Sequence, residues 1–138
     1  MAGAEPLAAV RAFLLADADL AAIVGTRVFV GELPESEIEQ MPRATVQLEP
    51  GGGMGNANQL YGDPRIDFYC YGDSPRVAWQ VYRALHAALK DLQREVFAET
   101  LLHWARESAM GALGRDPEKD WPVTLNSWQV RAAEIAAT

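Results

Sequence analysis

The sequence predicts an α+β domain in which a mostly antiparallel β-sheet is packed by two helices on one face. Three observations lead there: an amphipathic helical pattern from Ser74 to Leu92, apolar–polar alternation at 44–49 and 65–71, and a strand-like segment from Val123 to about Ala133. The expected order is helix, strand, strand, strand, helix, strand, strand, a sheet with its helices segregated to one side. At 138 residues the chain fits one domain, 1–138, large enough to hold a core without disulfide or metal.

The first helix runs from Pro6 to about Leu15, where Leu7, Val10 and Leu14 recur at helical spacing among helix-favouring alanines. Asp17 and Asp19 interrupt it. Asp19 is read as the cap of a short turn, Leu20 to Val24, that Gly25 ends. Arg27-Val28-Phe29-Val30, closed by Gly31, has the composition of a strand. Residues 31–43 are polar, hold Pro34 and Pro42, and read as a surface loop. From Ala44 to Glu49, Ala44, Val46 and Leu48 point one way and Thr45, Gln47 and Glu49 the other, until Pro50 ends this half-buried strand. The glycine-rich stretch from Gly51 to Pro64 exceeds the roughly five residues of most hairpin connections, so it reads as an extended hairpin loop, 51–64. Arg65 to Tyr71 alternates again, with Ile66, Phe68 and Cys70 opposite Asp67, Tyr69 and Tyr71.

Ser74 followed by Pro75 is a helix start. Behind it Val77, Val81, Leu85, Leu89 and Leu92, with Ala84 and Ala88 beside them, make an apolar stripe that suits a sheet. A second stripe holds Trp79, Arg83, His86 and Lys90, with Tyr82 near its edge. It is too aromatic for water and too charged for a core, which fits a protein contact. Between Gln93 and Met110 periodicity is undecided: Phe97, Leu101 and Trp104 have helical spacing, whereas Leu102, Trp104 and Arg106 fit one face of a strand. Gly111 to Pro122 reads as a loop. The final strand slips phase between Leu125 and Trp128, the mark of a bulge.

Composition and motifs exclude more than they assign. A net charge of −7 disfavours tight binding to phosphates, while a surface that DNA slides past remains compatible with it. No run reaches the ~18 apolar residues of a membrane span. Met1 to Pro6 lacks the basic start and apolar run of a secretory signal, so a protein made and kept in the cytoplasm is expected. A P-loop needs Gly-Lys-Ser/Thr opening a helix, but Gly55 is followed by Asn56, Ala57 and then a strand. His86 and His103 have no second histidine or cysteine at zinc spacing. Cys70 is the single cysteine and shares the Ile66/Phe68 face, where a thiol packs as a small hydrophobe. Glu32, Glu35, Glu37 and Glu39 read as a solvated charge run, and Asp67-Phe68-Tyr69-Cys70-Tyr71 lacks the basic and glycine pattern of an RNA-recognition strand. The expectation is a protein with no catalytic residue, cofactor or metal. The competing reading from another class is a small ligand-binding or enzymatic domain using Cys70 or the glycine loop.

Several phrases carry a resemblance to a known family. They are Val10-Arg11-Ala12-Phe13-Leu14-Leu15-Ala16-Asp17, Leu20-Ala21-Ala22-Ile23-Val24-Gly25-Thr26-Arg27-Val28-Phe29, Glu32-Leu33-Pro34, and the strand from Ala44 to Glu49. Arg65 to Tyr71 leading into a helix, and Asp116-Pro117 with Asp120-Trp121-Pro122 before a final strand, belong with them. Together they resemble the tail terminator, or tail completion, proteins of long-tailed bacteriophages over nearly the whole chain. The resemblance implies a sheet flanked by helices, with six copies closing into a ring in the neck of the virion after assembly in the host cytoplasm. That ring would cap the tail tube protein, end its polymerisation and join it to the head-side connector or stopper. Genomic DNA would pass through the lumen without specific binding, and no membrane is involved. The resemblance also implies a strand within Leu101–Ser108 and transfers no catalytic residue. A head-side adaptor or stopper of the neck would look much the same.

A ring needs two different adhesive surfaces on each subunit. The candidates for one are Tyr69, Tyr71, Trp79, Tyr82, Arg83 and His86, because aromatics and arginine concentrate at interface centres; the competing reading puts the same residues in the core of a single subunit. Met54, Asn56, Asn58, Leu60 and Tyr61 of the hairpin loop, with the loop from Glu32 to Met41, are candidates for contact with the tube or connector.

Overall fold

The computed structural model describes residues 6–54 and 61–134. Along them run α1 (Pro6–Leu15), α2 (Ala18–Val24), β1 (Val28–Val30), α3 (Glu35–Ile38), β2 (Thr45–Met54), β3 (Tyr61–Tyr71), α4 (Pro75–Lys90), β4 (Glu95–Phe97), β5 (Thr100–Arg115) and β6 (Pro122–Glu134). Among the described residues the strands form one six-stranded sheet in the order β1-β2-β3-β6-β5-β4. Every pair is antiparallel apart from the parallel β1–β2 pair.

The helical layer covers one face only. α1 and α4 lie against the sheet and α2 packs against both helices. Alternation along the strands aims Val46 and Leu48 of β2, Ile66, Phe68 and Cys70 of β3, and Trp128, Val130 and Ala132 of β6 at that layer, where they are sealed from solvent. Val10 and Leu14 from α1 and Val81, Leu85 and Leu89 from α4 fill the other side of the core. The start of α4 follows its sequence signal: the Ser74 hydroxyl accepts the Val77 N–H at 3.3 Å, with Pro75 in the first turn. Gly25 ends α2 at φ 61°, a backbone region that disfavours side chains.

The observed order is richer than expected, and each difference has a local cause. Asp17, not Asp19, caps α2; its backbone is extended and its carboxylate accepts the Leu20 N–H at 2.9 Å. The segment 31–43 contains the short helix α3. Its Glu37 is buried and grips Arg43 through two bonds of 3.1 and 2.9 Å, so this carboxylate is no part of a solvated charge run.

β2 also runs through Pro50 to Met54, and β3 begins at Tyr61, so the ladder occupies much of what reads as the loop 51–64. Val46 N–H and Leu48 C=O bond toward β1, which places the Pro50 nitrogen on the same side, beyond the end of β1. No partner there needs the missing N–H.

The open question at 93–110 resolves as two strands. Ala98 and Glu99 both take positive φ, 48° and 58°, between the paired residues Phe97 and Thr100, which makes a two-residue hairpin turn and not a helix. β5 then continues to Arg115 through residues expected to be loop. The bulges lie on β5, at Leu102/Trp104, Glu107/Ala109 and Ala109/Ala112. β6 keeps an unbroken alternation, because Asn126 turns inward and Leu125 outward. The inward Asn126 accepts the Trp128 indole N–H at 2.7 Å and donates to the Phe68 carbonyl at 3.4 Å.

Candidate interaction surfaces

The face of the sheet opposite the helices has two unlike regions. At the β1–β2 end, the α3 segment and the loop 116–121 rise on either side of a groove of about 400 Å³. Tyr69 and Tyr71, two apart on β3, stack at 6.4 Å, and Trp121 meets Tyr71 edge-on at 5.7 Å. The Tyr71 hydroxyl donates to Gln47 Oε1 at 3.1 Å, and Gln47 Nε2 donates to Gly31 O at 2.6 Å and Glu49 Oε1 at 3.2 Å. Thr45, Gln47 and Tyr71 are therefore buried, although alternation placed them on a solvent face.

Glu32, Glu49, Asp116 and Glu118 surround these rings, with Lys119 the lysine or arginine in the lining. Among the described residues no basic group forms an ion pair with any of the four. The phenols register this field. Burial raises the Tyr69 pKa first, and Glu49 and Asp67 raise it further; burial also raises Tyr71, with Asp116 adding to it.

Farther along the same face, the sheet is bare. Leu125 is 45% exposed and Met110 is 80% exposed; with Ala109 and Ala112 they border a shallow depression above Ser127 and Asp67. The outer edge of β5 is free as well. β4 pairs only with Thr100, Leu101 and Leu102, so from Trp104 to Arg115 no strand among the described residues lies beside it. Ser108 to Gly114 carries no charge, the composition that leaves an edge open to pairing.

On the helical side, α4 divides its outer stripe in two. Trp79 is 40% exposed and Arg83 is exposed. Tyr82, by contrast, is buried under β5: its hydroxyl donates to Glu107 Oε2 at 2.6 Å and accepts the Gly111 N–H at 3.2 Å. His86 Nε2 lies 3.5 Å from Glu107 Oε1, and its ring packs edge-on to Tyr82 and Trp128. Tyr82 and His86 thus tie α4 to β5 within the subunit. Sequence periodicity placed both toward a partner because it could not register the strand that curls over them.

The remaining expected contacts fall in the hairpin. Met54 ends β2 and Tyr61 begins β3, while Asn56, Asn58 and Leu60 lie outside the described residues. The sequence reading missed the acidic groove, the free β5 edge and the Met110/Leu125 patch. The signals present for them were the outward phase of Leu125 and the uncharged run Ser108 to Gly114.

Cys70 is fully buried, and desolvation pushes its thiol up to about 12 against a weaker lowering by Asn126, so it stays protonated at neutral pH. Among the described residues no group of three or more histidine, cysteine, aspartate or glutamate side chains is placed to hold a metal, and no helix is long and apolar enough to cross a membrane.

No family model and no curated protein matches the chain. A solved structure does: a chain from the virion of a native gene transfer agent particle. The likeness covers 92% of this chain and 93% of that one, at 22% sequence identity and a TM-score of 0.60. What the two chains demonstrably share is a fold, end to end.

Proposed function

We propose that this chain is a structural subunit of a phage-type virion. Six copies close into a ring that caps the tail tube, ends its growth and joins it to the head-side connector. The observation that carries this reading is the full-length fold likeness to a virion chain of a gene transfer agent particle. The surfaces support it. A sheet covered on one face only, with exposed Met110 and Leu125 and an uncharged free strand edge, is an incomplete structure that other chains can finish. The acidic balance of −7 suits a lumen wall that DNA passes without adhering.

Adding the purified protein to polymerising tail-tube subunits tests the role. Tubes of limited length, with a ring at one end by electron microscopy, are expected. Tubes of unchanged length with bare ends would remove the terminator role and leave the head-side position in the neck to be tested with connector subunits.

A further inference from the structure

The outward stripe of α4 is the electrostatic opposite of the groove. Arg76, Trp79, Arg83 and Lys90 recur along one line of the helix, and α4 contains no acidic residue. This +3 helix belongs to a chain of net charge −7. Among the described residues none of the three cations forms an ion pair. Other basic groups are already engaged: Arg43 holds Glu37, Arg65 lies 3.3 Å from Asp67, and Arg106 sits 4.4 Å from the Trp104 ring centre. The groove presents carboxylates of Glu32, Glu49, Asp116 and Glu118 that lack an ion-pair partner among the described residues, beside aromatic side chains, a lining that favours a cation by Coulomb attraction. α4 packs on one face of the sheet and the groove opens on the other, so a subunit cannot satisfy its own pair.

We propose that the acidic groove of one copy receives the basic stripe of α4 from the next copy, with an arginine of that stripe set against the half-buried Tyr69 and Trp121. The contact is heterologous, as a closing ring requires. It rests on the ring reading and specifies which two surfaces form the joint.

The test is charge reversal with rescue, read as self-association by sedimentation of the full chain at low and high salt. Arg76→Glu with Arg83→Glu, and separately Glu32→Lys with Glu118→Lys, are each expected to weaken assembly on the order of ten-fold or more. The four changes together restore it, and salt weakens the wild-type joint. These positions are exposed or lie at the groove rim, and thermal melts verify folding. Should a reversal fail to fold, Arg83→Gln and Glu118→Gln give the same directions with smaller size. Rings that survive either reversal unchanged would overturn this joint while leaving the ring reading intact. A wild-type chain that stays monomeric at every concentration would overturn both.

Discussion

On the helix-covered face of the sheet, Phe68, Trp128 and Val130 are sealed; on the opposite face, Leu125 is 45% exposed and Met110 80% exposed. β6 supplies both Trp128 and Val130 to the first set and Leu125 to the second, so strand composition alone does not explain the contrast. The apolar side chains of the covered face find their partners within one subunit: α1 and α4 supply them, and the buried Asn126 accepts the Trp128 indole N–H at 2.7 Å. The bare face is complete only at one end, where the α3 segment and the loop 116–121 bury Gln47 and Tyr71. The apolar core thus lies on one side of the sheet, and exposed apolar strand positions lie on the other. Mutations should separate the two properties.

Trp128→Ala strikes the complete face and is expected to have the largest effect. It leaves a large void and an Asn126 Oδ1 without its indole donor, costing about 3–5 kcal/mol in a urea titration. A loss under 1 kcal/mol would break the comparison.

Alkaline pH comes next. Cys70, Tyr71 and Tyr82 all have raised pKa values in the folded chain, chiefly by burial. The unfolded chain therefore releases these protons first. The Cys70 contribution is fully present below the ordinary thiol value of 9.0 and is lost as pH climbs from there toward about 12. Those of Tyr71 and Tyr82 are fully present below the ordinary phenol value of 10.0 and fall only above it. Each group adds a slope of about 1.4 kcal/mol per pH unit. Urea midpoints should be flat near neutrality and fall above pH 9.0, less steeply in Cys70→Ala.

Tyr82→Phe should cost about 1–3 kcal/mol, because Glu107 and the Gly111 N–H each lose a partner. Hydrogen exchange should quicken around Gly111, where β5 comes away from α4. Smallest of all, Leu125→Ser should change stability by no more than about 0.5 kcal/mol. If the bare face is an interface, the same change should still weaken self-association; an unaltered assembly would free that patch from the role.

The covered face was legible in the sequence, because alternation in β2 and β3 and the stripe of α4 are local patterns that one core explains. The bare face was not. Alternation assigned Gln47 to solvent, whereas Gly31 and Tyr71, distant in sequence, hold it inside. Tyr82 was placed near the edge of the outer α4 stripe, as a candidate contact. Its burial depends on Gly111, where a Cβ would lie 2.6 Å from the tyrosine ring, so the close approach of β5 is possible only without a side chain. The helical spacing of Phe97, Leu101 and Trp104 is produced by a hairpin followed by a bulge, and Ala98-Glu99 at the turn carries none of the glycine or asparagine that announces one. The resemblance to tail terminators came from phrases on both faces, Glu32-Leu33 and Asp116-Pro117 at the groove among them, while separating the exposed Trp79 and Arg83 from the buried Tyr82 and half-buried His86 needed the tertiary structure.

Native mass spectrometry of the purified chain across micromolar concentrations bears most directly on whether the bare face is finished by further copies. One closed species of six subunits, with monomer as its main companion, is the expected spectrum. A monomer at all concentrations, or an open-ended ladder of sizes with no favoured member, would contradict it.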